Sequence, residues 1–130
     1  MGAVISACGK YRYTLTRVLQ YDEPITPTGQ ITFVMLNPST ADATEDDPTI
    51  RRCIGFARGF KAEALNVVNL YALRATDPKE LWKVTDPVGG SSNDYWIKRI
   101  LETSSVIICA WGNNAREVRV REFLWLAPGS

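Results

Sequence analysis

The chain has 130 residues, with 15 Lys and Arg against 14 Asp and Glu, three cysteines and no histidine. The near-neutral balance excludes the strong basic excess with which proteins grip long nucleic acids. The missing imidazole excludes Ser-His and Cys-His nucleophiles, imidazole general bases and histidine-ligated zinc.

In chain order, residues 1–10 carry little pattern and read as a loose lead-in. Residues 11–19, YRYTLTRVL, alternate Tyr11, Tyr13 and Leu15 against Arg12, Thr14 and Thr16, which predicts a half-exposed strand at or near a sheet edge. Pro24, Pro27 and Gly29 turn the chain back, so this strand is expected to run antiparallel to the next one. That next strand, residues 31–36, is an apolar run broken only by Thr32, a pattern suited to burial on both faces. From Asn37 the sequence turns polar, NPSTADATEDDP. Asp47 is placed to cap a helix that begins at Pro48, carries Ile50, Cys53, Ile54 and Ala57 on one stripe, sets Arg51, Arg52 and Arg58 elsewhere, and stops near Gly59.

Residues 65–71, LNVVNLY, predict a second buried strand, parallel to the first through a right-handed crossover. Asp77-Pro78-Lys79-Glu80 opens a short helix through Trp82. Ser92 or Asn93 caps another, with Trp96, Ile97, Ile100 and Leu101 as its apolar stripe. Residues 106–110, VIICA, read as a third buried strand ending in Trp111-Gly112-Asn113-Asn114. The spacing of Asn114 and Glu117 then marks a last helix. Its end, Phe123-Leu124-Trp125-Leu126, cannot face one core throughout, so it reads as a partner surface supporting a homo-oligomer, or as a strand-like segment. Cys8, Cys53 and Cys109 read as free thiols, the last two as small buried hydrophobes. With no signal peptide and no apolar run near the roughly 20 residues of a membrane span, the expectation is a soluble cytoplasmic protein of one domain.

The resulting fold is α/β, a three-layer sandwich with a mostly parallel, Rossmann-like central sheet and an antiparallel N-terminal strand. In such sheets the carboxyl ends of the strands share one rim, where ligands bind. Asn37, Pro38, Ser39 and Thr40 there offer backbone N–H groups and hydroxyls, ahead of a helix N-terminus, to a phosphate or a base edge. They serve equally well as turn formers. Arg74, among Asn69, Thr76 and Asp77, offers a bidentate donor for an anion or an ion pair to an acidic neighbour. Trp111, before Gly112 and Asn113, could stack on a base or simply pack. No cofactor motif is present; were Asp42, Asp46 and Asp47 to take a metal, Mg2+ or Mn2+ would suit them.

The blocks YRYTLTR, MLNPSTADATEDDPTIRRCIGFAR, VVNLYALRATDPKEL, DPVGGSSND and AWG, in this order, resemble the family named domain of unknown function 1643, found in bacteria and their phages, over about residues 11–114. A strand ending in an Asn-Pro loop, with a second ending near a glycine, is also similar to the uracil-DNA glycosylase fold, whose first loop holds the attacking water and the base. Typical members of the first family continue into another strand and a histidine-bearing Pro-Arg-His-Pro stretch, whereas this sequence finishes at Ala127-Pro128-Gly129-Ser130. This departure from the family favours binding without turnover over hydrolysis.

Three functions are carried forward. The first is a binding module for a nucleotide-like or nucleobase-containing small molecule, of the size a phage could use to sequester a host signalling nucleotide. The second is a glycosylase-like hydrolase of an N-glycosidic bond, with Asp42 or Asp46 activating water. The third is a protein-interaction domain using residues 123–126.

Overall fold

The computed structural model describes residues 2–26 and 28–128. In chain order they form β1 (Gly2–Ile5), β2 (Arg12–Val18), β3 (Gln30–Met35), α1 (Pro48–Gly59), β4 (Ala64–Asn69), a 3-10 turn (Pro78–Lys83), α2 (Gly90–Glu102), β5 (Val106–Cys109) and α3 (Glu117–Leu126). The strands make one sheet in the order β1-β2-β4-β3-β5.

The α/β class holds, but the expected mostly parallel Rossmann-like or glycosylase-like sandwich does not. Only β3 with β4 and β3 with β5 pair in parallel, while β1 with β2 and β2 with β4 are antiparallel. The sheet is mixed for two reasons. Gly2–Ile5, within the expected lead-in, is a strand too short to show a period of its own. The strand before the turn at residues 20–29 pairs with β4 rather than with β3, because a connection of that length can pass over a neighbour that a tight hairpin could not.

The core lies on both faces of the sheet. α1 sets Ile50, Cys53 and Ala57 against Leu15, Ile31, Phe33, Leu65 and Val67. α2 and α3 set Ile97, Leu101 and Phe123 among Val34, Val68 and Leu70. The split follows from strand alternation, which sends Phe33 and Val34 to opposite faces. Each such fully buried aliphatic side chain contributes about 1.5–3 kcal/mol relative to exposure.

β4 is buried throughout, as expected, but β5 is not. It forms an outer margin of the sheet, with Val106 45 % exposed and Cys109 exposed as well. An apolar run cannot by itself distinguish a central strand from an edge. Cys53 is buried as expected; Cys109 is not.

Helix starts differ from expectation at two points. α2 begins at Gly90 after Gly89, whose φ of 90° suits glycine and whose Cα is closely faced by Ala72, Tyr11 and Tyr13. Asn93, expected as a cap, is instead buried inside α2 and donates to the Asn69 and Leu70 carbonyls. α3 begins at Glu117, not at Asn114. Residues 123–126 are helical: Phe123 is buried edge-on to Trp111, while Leu124 and Trp125 face solvent. Among the described residues no helix is long and apolar enough to cross a membrane.

Candidate functional site

β3 and β4 run in register to Met35 and Asn69, so both strands deliver their last side chains beneath the start of α1. That start is fixed by Asp47, whose Oδ1 accepts from the Ile50 N–H at 2.9 Å, and by Pro48 in the first turn. Between the strand ends and the helix lies a cavity of about 40 Å3, lined by Arg12, Met35, Asn37, Pro38, Ser39, Asp47, Thr49, Ile50, Val67 and Asn69.

Asn69 is fully buried, and neither its Nδ2 nor its Oδ1 has a hydrogen-bond partner. A buried amide in that condition costs about 1–3 kcal/mol. Arg12 is also buried; it donates to the Ala41 carbonyl at 3.0 Å, and its Nε has no partner. Burial pushes its guanidinium down to about 10, against the opposing pull of Asp47, so it stays cationic at neutral pH. Strict alternation along β2 would aim Arg12 away from Leu15 and the α1 side. A bulge prevents this: Val4 pairs with Thr14 but Ile5 with Arg12. The extra residue re-aims the guanidinium into the cavity.

The loop over residues 37–47 is held by three arginines through its own carbonyls. Arg12 takes Ala41; Arg17 takes Asp42 at 2.6 Å and Ala43 and Glu45 at 3.3 Å; Arg74 takes Ser39 and Thr40 at 3.2 Å. Arg17 adds an ion pair to Asp46 at 2.8 Å. Arg74 thus engages the loop's backbone, with a third bond to Gly9, rather than pairing with a carboxylate. It lines, with Ser39, Thr40, Ala75 and Thr76, an open groove beside the cavity. Asn37 ties the loop after β3 to the segment after β4 by donating to the Ala75 carbonyl at 2.7 Å, and Ser39 meets the Thr76 hydroxyl at 3.2 Å.

The expected rim is therefore divided. Asn37, Pro38, Ser39 and Asn69 meet in the cavity; Thr40, Arg74 and Thr76 stand in the groove that shares Ser39. Trp111 packs against Phe123 in the second core, and Gly112 and Asn113 are exposed; none of the three lines either space. Arg12, Asp47 and Thr49 line the cavity without having been expected there. Of the three, Asp47 alone was singled out beforehand as a helix cap, and its second bond, from the Ala41 N–H, was not foreseen.

The carboxylates are each engaged locally. Asp42 Oδ1 accepts from the Thr44 and Glu45 N–H groups at 3.0 and 2.8 Å, Asp46 pairs with Arg17, and Asp47 accepts from Ile50 and Ala41. Asp42 and Asp46 do not line the cavity. Among the described residues no three Cys, Asp or Glu side chains come together in a way that could hold a metal ion. The Glu45 and Thr44 N–H bonds hold the Asp42 carboxyl below its ordinary value of 3.8. A depressed carboxylate contributes stability above its unfolded pKa and loses it as pH falls through the folded one. Hydrogen exchange at the Thr44 and Glu45 amides should therefore stay protected at neutral pH and lose protection only below about 3.8. Asp42→Ala should remove that protection at every pH.

A family model described as "Protein of unknown function (DUF1643)" matches residues 12–126. No curated protein and no solved structure matches the chain.

Proposed function

The chain belongs to the DUF1643 family, whose description assigns no activity, and from the site itself we propose that it binds a nucleotide-like small molecule and reads the edge of its base with Asn69 and Arg12. The observation that carries this reading is the Asn69 carboxamide, buried with both of its polar atoms unpartnered. A carboxamide presents a donor and an acceptor side by side, which complements the paired acceptor and donor on a nucleobase edge. Arg12 adds a cationic donor for a ring carbonyl. The narrow cavity suits one such edge, and nothing about it suits a long polymer.

Binding without turnover is favoured by the carboxylates: Asp42 and Asp46 close and anchor the loop, and Asp47 engages two backbone amides. A small protein that only binds would act by sequestering its ligand. Titration calorimetry against nucleosides, nucleoside monophosphates, cyclic nucleotides and ADP-ribose should give heat with at least one of them. That heat should vanish in Asn69→Ala. Silence across the panel overturns the reading, and release of free base during the titration replaces it with hydrolysis.

A further inference from the structure

Met35 and Thr49 border both this cavity and a second space of about 210 Å3, lined also by Phe33, Arg52, Cys53, Phe56 and Ala110. We infer that this groove, rather than the one beside Arg74, holds the body of the ligand, with a base ring against Met35 and Phe56 and a phosphate at Arg52. The ligand class is then a nucleoside monophosphate. This inference rests on the reading of Asn69 as the reader of a base edge.

Adjacency comes first: Met35 and Thr49 line both spaces, so a planar group whose edge meets Asn69 has the rest of its ring beside Met35, at the border of the groove. The groove's chemistry is right for a ring. Phe33 meets Phe56 edge-on with centroids 5.8 Å apart, and Phe56 meets Phe60 at 5.1 Å, yet Phe56 and Phe60 are each about half exposed, at 50 % and 52 %. An aromatic cluster left half in water beside a polar cavity is what a stacking platform requires. Niche and groove together lie near the lower end of small-molecule sites, about 300 Å3, which admits one ring system and not a dinucleotide.

The cations choose the direction. Arg74 has its three guanidinium nitrogens on loop carbonyls, and Arg51 donates to the Asp46 carbonyl. Arg52 is exposed, and its one side-chain hydrogen bond among the described residues is a long one, 3.5 Å, to Thr49 Oγ1. No carboxylate pairs with it among the described residues. A planar donor standing free at the rim of an apolar slot, in the first turns of α1, is suited to a phosphate.

The test uses the full chain and whichever nucleoside monophosphate gives heat, alongside its nucleoside. Arg52→Gln should weaken the monophosphate about 10- to 100-fold, the worth of a charge-assisted hydrogen bond, and leave the nucleoside unchanged. Phe56→Ala should weaken both about tenfold. Both side chains are exposed, and unchanged thermal unfolding verifies that each variant is folded. If both variants bind like the parent protein while Asn69→Leu does not bind, the groove is overturned and the base-edge reading stands. Equal affinity of the parent protein for nucleoside and monophosphate also overturns the placement at Arg52. Absence of binding by the parent protein removes both readings together.

Discussion

Asn69→Leu should raise the free energy of unfolding by about 1–3 kcal/mol and abolish nucleotide binding. Leucine has the same branched, four-heavy-atom side chain as asparagine, its bulkier methyl groups can use the adjoining cavity of about 40 Å3, and it brings no polar atoms to a position where both amide atoms stand unpartnered under full burial. Val67 and Met35 already line the same space, so the new side chain has apolar neighbours. Residues kept solely for structure lose stability when replaced; a residue kept for a ligand costs stability and returns it on removal. Urea denaturation measures the first half of the prediction and calorimetry the second. A loss of stability comparable to an ordinary core substitution would assign Asn69 a packing role and leave the cavity without its reader.

The opposite sign is expected at Arg17. Arg17→Met should destabilise the fold by about 3 kcal/mol, a fall of roughly 10 °C in Tm, and should weaken ligand binding although Arg17 lies outside the cavity. The guanidinium is almost fully buried, pairs with Asp46 and takes five backbone carbonyls, among them those of Asp42, Ala43 and Glu45. Asp46 is partly exposed and regains water when its partner goes; the loop carbonyls and the Gly2 carbonyl of β1 do so less readily. The loss should therefore be felt at both ends, in the seating of β1 and in the shape of the loop over residues 37–47. Thermal unfolding reads the first effect. Faster hydrogen exchange at Thr44 and Glu45, whose amides close that loop, reads the second.

Legibility in the sequence tracked how local the cause was. The two central strands announced themselves as apolar runs, and α1 announced its start through Asp47-Pro48 and its stop near Gly59, because caps and breakers act within a few residues. That Asn37, Ser39 and Asn69 would share one rim was readable because Asn69 ends one buried strand and Asn37 and Ser39 follow the end of its neighbour. What stayed hidden depended on distant partners. β1 has four residues and becomes a strand only by pairing with β2. Arg12 looked solvent-facing until the bulge reversed its direction. Trp111 stands at a strand end like Asn37, but its ring turns to Phe123, and no property of residues 111–114 foretells which face it will choose. Arg74 read as a donor for an anion or an ion pair, and nothing in the sequence singled out Arg17, yet both spend most of their donors on main-chain oxygens, which leave no mark in a sequence.

β5 carries a consequence for behaviour at high concentration. Its four residues, Val-Ile-Ile-Cys, form the sheet's outer margin next to β3 and contain no lysine, proline or other side chain that deters a neighbouring strand. An edge strand of this kind presents unpaired backbone groups to which another extended segment can add. The sheet's other margin, β1, with Gly-Ala-Val-Ile, is equally bare of such side chains, so self-association through added strands would start at either of these two edges.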